Sequence, residues 1–127
     1  MSTPEQIRAA VDTYCDAYAR VDKIAFLEVF AEDGVVIDPV GTPEHVGREA
    51  RAAFWDGVHG LAESLRFDVH QVHVCGNEAA MVFTINARLA GGAGMAIDAV
   101  DVFRVDDDGR ITLLEAYWDM ATARQLA

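Results

Sequence analysis

Residues 95–105 read MAIDAVDVFRV. Side chains on a β-strand alternate between faces, so Met95, Ile97, Ala99, Asp101, Phe103 and Val105 share one. Five of the six are apolar and the sixth is an acid. An ionised carboxylate among apolar neighbours is very costly unless it is paired. Two resolutions are open. Asp101 can pair with an arginine from elsewhere or sit at a dimer contact. Alternatively its pKa rises and it stays protonated, a hydrogen-bond donor in an apolar cavity. Asp98 falls on the opposite face with Arg104, where a structural or surface role is expected.

The flanking segments extend the same pattern. Residues 64–74 (SLRFDVHQVHV) alternate imperfectly, and 79–89 (AAMVFTINARL) make a long strand. CGNE, LAGGAG and DDDG are turns between strands, the second a glycine-rich hairpin. RITLLEAYWDM (110–120) closes the series. The N-terminal half reads as helices. Thr3, Pro4 and Gln6 form a capping box with proline at the first helical position. Ile7, Val11, Tyr14, Tyr18 and Val21 recur as one helical stripe. Asp22 caps a short second helix carrying Ile24, Phe26, Leu27 and Phe30, and Asp33–Gly34 turns the chain into the strand VVID. A third helix over about 47–60 places Ala50, Ala53, Phe54 and Val58 on its buried side. Helices first and antiparallel strands after predict an α+β fold, with helices on one face of a curved sheet. The 127 residues fit one domain, 1–127.

Composition narrows the function. A formal net charge of −11 opposes binding to phosphate backbones and disfavours anionic substrates. It suits a neutral, apolar ligand. No run approaches the ~18 apolar residues of a membrane span. MSTPEQIRAA lacks the pattern of a signal peptide. Cys15 and Cys75 have no disulfide or metal spacing, and a cytoplasmic setting is expected. His70 and His73 point to opposite faces of a strand, which makes them poor co-ligands, and His45 and His59 are isolated.

Two further residues invite chemistry. Residues 35–41 read VVIDPVG, an apolar run ending in Asp38. Asp38 shares a face with Val36 and Val40 and is either a turn-capping aspartate or a base facing a cavity. Tyr14 lies on an apolar stripe, so its hydroxyl needs a partner, either a backbone carbonyl or a ligand. A base opposite two neutral donors is the arrangement that takes a proton beside a carbonyl and holds the enolate.

The chain resembles the bacterial ketosteroid isomerases (steroid Δ5-isomerases), within the superfamily related to nuclear transport factor two. The segments that carry the likeness are the first helix with Tyr14, FAEDGVVIDPVG, HVGREARAAFW, IDAVDVFRVDDDGRI and EAYW. The resemblance implies a conical, curved, mixed or antiparallel sheet wrapped by three helices around an apolar pocket. It implies a homodimer without cofactor or metal, acting on an apolar steroid. Asp38 would be the general base moving a proton from C4 to C6. Tyr14 and Asp101 would be the two donors to the C3 oxygen. This family is itself the standard example of a carboxylic acid held neutral at pH 7, so that role is taken over from the likeness. Trp118 matches an aromatic near the base, where its indole can bond or screen Asp38. Trp55 and Phe83 are candidate pocket walls, although Met81, Phe83 and Phe103 also read as ordinary core. Where some relatives carry tyrosines that extend the donor network, this chain has Phe30 and Trp55. Other enzymes on such a cone (hydratases, epoxide hydrolases, polyketide cyclases) and a non-catalytic binding dimer are the alternatives.

Overall fold

The computed structural model describes residues 1–126. The first helix, α1 (Pro4–Arg20), starts where the capping box sets it. Gln6 N–H donates to Thr3 Oγ1 at 3.1 Å and Thr3 N–H donates to Gln6 Oε1 at 2.8 Å. Caps of this kind contribute about 1 kcal/mol. The buried face is Ile7, Ala10, Val11, Tyr14, Ala17 and Tyr18. Val21 was expected to continue that stripe. Instead it is the left-handed C-cap (φ 52°) and is 64% exposed, because the chain turns there.

The second helix, α2 (Lys23–Glu28), is capped by the Asp22 side chain, which accepts from Ala25 N–H at 3.0 Å. It is too short to bury every apolar residue it carries. Phe26 and Leu27 go inward and Ile24 faces solvent. Phe30 was expected on this helix but opens the first strand, β1 (Phe30–Ile37).

The expected turn at Asp33–Gly34 is a bulge inside β1. Pairing with the strand Ile111–Trp118 jumps from Phe30↔Ile111 to Val35↔Leu113. Gly34 is needed there, since a Cβ would meet Ile111 O at 2.9 Å and Ala31 O at 3.0 Å. A two-residue strand, β2 (His45–Val46), pairs with β1 and leads into α3 (Gly47–Leu61). The fully buried residues of α3 are Arg51 and Trp55, while Ala53, expected inside, is exposed. Arg51 accounts for the rotation. Its Nη1 donates to Gly34 O at 2.7 Å and Glu32 O at 3.3 Å, and the guanidinium lies 4.9 Å from the Phe30 ring centre. The bulge carbonyls thereby gain a donor that a flat strand would not need.

The long strands are β3 (Ala62–Cys75), β4 (Glu78–Leu89), β5 (Gly94–Val105) and β6 (Ile111–Trp118). A 3₁₀ turn (Met120–Thr122) and a short strand, β7 (Arg124–Leu126), follow. The seven-stranded mixed sheet runs β2-β1-β6-β5-β4-β3, with β7 beside β5. All long pairings are antiparallel except β1 with β6. The sheet is curved and unclosed, and the three helices cover its concave face. Alternating residues of β4, β5 and β6 supply that face. Ala79, Met81 and Phe83 lie beside Ala99, Asp101 and Phe103, with Leu114 and Ala116 beyond, all 4% exposed or less. No helix is long and apolar enough to cross a membrane among the described residues.

Candidate active site

The middle of that concave face holds Asp101. β5 is an interior strand, so Asp101 has a neighbour on each side, Met81 on β4 and Ala116 on β6. Both are essentially fully buried, and Asp101 itself is 3% exposed. The parity of MAIDAVDVFRV has put an acid into a buried apolar layer. No basic group forms an ion pair with it among the described residues. Burial therefore pushes its carboxyl well above the ordinary aspartate range, and the nearby charge of Asp38 adds to the shift.

Two residues along β5 in one direction is Phe103, about 7 Å further at the usual strand rise. Its ring packs edge-on against Tyr14 of α1, with centroids 5.1 Å apart. Two residues in the other direction is Ala99, paired across the ladder with Trp118. The Trp118 indole N–H donates to Asp38 Oδ1 at 2.6 Å. Along one strand face, then, Asp101 lies between the row holding the Asp38–Trp118 pair and the row beneath Tyr14.

Asp38 follows the last residue of β1 and is partly buried, on the face of Val36. Val40, expected to share that face, is in the turn and exposed. There its N–H donates to Ala116 O at 2.8 Å, which pins the turn to β6. Burial raises the Asp38 pKa. The Trp118 hydrogen bond and the charge of His45 each pull it partly back. His45 had seemed isolated in sequence. Its place on β2, opposite Val36, brings it near the carboxylate.

Tyr14 is 2% exposed and its acidity is suppressed, first by burial, then by Tyr18, Asp101 and Asp38. Tyr18, one turn later, is raised by burial and next by Asp38. One sealed and unbonded side-chain polar atom occurs among the described residues, Arg51 Nε. The Tyr14 and Tyr18 hydroxyls are side-chain hydrogen-bond partners of each other. The Asp101 carboxyl has no hydrogen bond to a described residue and is not among the sealed atoms, so it borders interior space.

The aromatic candidates are distributed around this centre. Phe83 pairs with Ala99 across β4–β5 and packs on Phe67 at 5.1 Å. Trp55, 3% exposed, lies behind Tyr18 at 4.8 Å and stacks on His59 at 4.1 Å. Two open cavities flank the site. One of about 420 Å³ runs between α1 and β3 and is lined by Val11, Cys15, Phe67 and Met81. The other, about 450 Å³, lies outside Trp118 against Pro39, Val40 and Tyr117. Burial pushes the Cys15 thiol up to about 12, which disfavours its thiolate form.

The convex face holds a separate polar chain. The His70 ring bonds Thr84 Oγ1 at 2.8 Å, and Thr84 donates to Asp98 at 2.8 Å. The order resembles a nucleophile set, but the hydroxyl points its proton at the carboxylate and His70 is not its base. No cluster of three potential metal ligands occurs among the described residues.

Known proteins share this fold. The sequence profile of the SnoaL-like domain matches residues 11–114. A steroid Δ-isomerase of Nocardioides simplex is 31% identical over 113 residues, 89% of each chain. Among solved structures, a Δ5-3-ketosteroid isomerase from Mycobacterium sp. superposes with TM-score 0.85 and 26% identity, over 95% of this chain and 98% of that one. SalBIII, an epoxide hydrolase/cyclase-like enzyme with a role in pyran ring formation in the polyether salinomycin, superposes with TM-score 0.90. It is 21% identical and is matched over 99% of this chain and all of that one.

Proposed function

The chain belongs to the SnoaL-like family, and we propose that within it this protein is a steroid Δ5-isomerase, moving a double bond in a Δ5-3-ketosteroid into conjugation. The observation that carries the reading is the pairing of two aspartates with different tasks on one apolar face. Asp38 sits at a strand end with an indole donor that favours its ionised form. Asp101 sits in the dry centre, where the ionised form is suppressed. The 31% identity to a steroid Δ-isomerase supports the same choice.

The steps follow from these environments. The Asp38 carboxylate takes a proton from C4 of the substrate. The C4–H electron pair moves into the ring and charge develops on the C3 oxygen, giving a dienolate. Neutral Asp101 and Tyr14 donate hydrogen bonds to that oxygen. Asp38 then returns the proton at C6. The substrate carbonyl is the electron sink, so the scheme needs no cofactor. Donors fixed in a water-poor site are worth more than the same donors in water. A base whose pKa is raised toward neutrality is better matched to its task than an ordinary aspartate. A surface of net charge −11 suits an uncharged ketone. Phe83 and Trp118 serve as apolar walls, with Trp55 as backing behind Tyr18. The working unit is a homodimer of this single domain.

The test is to add protein to 5-androstene-3,17-dione and follow the ultraviolet absorbance of the conjugated enone. We expect a rapid rise, reduced by the ~10²–10⁴-fold of a lost general base in Asp38→Asn. No rise with folded protein would overturn the isomerase reading and send the search to epoxide substrates.

A further inference from the structure

Tyr18 is the buried titratable side chain beside the site that the chemistry above leaves without a role. It lies four residues after Tyr14, so the two side chains meet on one face of α1. Their ring centres are 5.2 Å apart, edge to face. Tyr14 has five aromatic neighbours: Tyr18, Phe26, Phe30, Phe67 and Phe103. Of these, Tyr18 alone carries a hydroxyl.

The Tyr18 ring is held on several sides. Trp55 lies at 4.8 Å, Phe67 at 4.9 Å and Phe26 at 5.7 Å, and His59 stacks at 5.8 Å. At 5% exposure, a phenylalanine would fill this place with the same ring and no hydroxyl to desolvate. A buried phenol generally has a use for its hydroxyl. Here the hydroxyl has the Tyr14 hydroxyl as its side-chain hydrogen-bond partner, and it feels the charges of Asp38 and Asp101.

We propose that the Tyr18 hydroxyl donates to the Tyr14 phenol oxygen while Tyr14 donates to the substrate oxygen, so that Tyr18 is a positioning residue that strengthens Tyr14 as a donor. The assignment rests on the isomerase reading for its catalytic consequence. It also makes a statement about binding that stands without turnover. Negative charge developing on the ligand oxygen draws the Tyr14 proton toward it, and Tyr18 steadies the electron density left on Tyr14. The benefit is greatest where ligand charge is greatest, so it appears in kcat rather than KM.

The experiment compares wild type, Tyr18→Phe and Tyr14→Phe, with thermal melts to confirm folding. Turnover of 5-androstene-3,17-dione is one readout. The other is the ionised fraction of bound 2-naphthol at pH 7, read from its absorbance, which a merely structural role would not move. We expect Tyr18→Phe to lower kcat by about 3- to 10-fold, the worth of one neutral hydrogen bond, at unchanged KM. The naphtholate fraction should fall with it. Unchanged kcat and unchanged naphtholate fraction would overturn the proposal. So would a loss confined to KM or melting temperature with the naphtholate fraction intact. A wild type inert to the steroid would instead overturn the isomerase reading, leaving the naphthol comparison to decide Tyr18 by itself. Failure of the wild type both to turn over the steroid and to bind naphthol would overturn both.

Discussion

Asp98 and Asp101 are three residues apart on β5 and live in opposite worlds. Asp98 is on the convex face, where Arg124 grips it with two bonds of 3.0 and 3.1 Å and Thr84 donates at 2.8 Å. Those partners, Arg124 foremost, hold its carboxyl below the usual range. Asp101 is on the concave face among Met81, Ala99, Phe103 and Ala116, and burial holds its carboxyl far above that range. The residue type is the same and the strand is the same. Which side of the pleat each falls on decides whether its acidity is set by charged partners or by burial.

The most severe way to break this contrast is to remove the inner acid. Asp101→Leu should keep the fold, since the site is already apolar. It should lower kcat by the ~10²–10³-fold associated with one lost oxyanion donor. Enone-forming activity near the wild-type level would place Asp101 outside the reacting centre.

A gentler test changes charge at constant shape. The folded pKa of Asp101 lies above its unfolded value of about 3.9, so the native state holds a proton that the unfolded chain has lost. Stability therefore falls as pH rises from the unfolded pKa toward the folded one. Asp101→Asn removes that penalty. It should be more stable than wild type in urea melts, with a gap that widens as pH rises from the unfolded value of about 3.9 toward the folded one. Asp98 has the opposite sign. Its depressed pKa contributes stability above the unfolded value and loses it as pH falls, so Asp98→Asn should be slightly less stable at neutral pH. That effect should shrink with added salt, because the pair is exposed. Two variants shifting in the same direction would dissolve the comparison.

Much of this arrangement was legible in the sequence, and particular residues show why. The face of Asp101 followed from period-two alternation, which β5 obeys because it pairs with β4 without a register break. The start of α1 followed from Thr3 and Gln6, a local signal that tertiary packing had no reason to override. The failures were at places where long-range contacts decide. Ala53 looked buried by helical spacing, yet α3 rotates to bring Arg51 to the bulge carbonyls of β1. Asp33–Gly34 looked like a turn, since nothing local reveals that β1 continues through it beside Ile111. β2 and β7 are too short to show a period, and β2 is what carries His45 toward Asp38. Tyr18 was visible as a stripe residue, but its closeness to Tyr14 and Asp38 takes on meaning only once the surrounding rings are in place.

The most direct measurement is the infrared difference spectrum of wild type minus Asp101→Asn at pH 7. A protonated carboxyl and a carboxylate absorb in separate regions, and the subtraction isolates this one group. The expected difference is a protonated carboxyl stretch that is present in wild type and absent in the variant. A difference containing carboxylate bands alone would show that Asp101 is ionised in the folded protein, and the concave face would then have no neutral acid to offer a developing oxyanion.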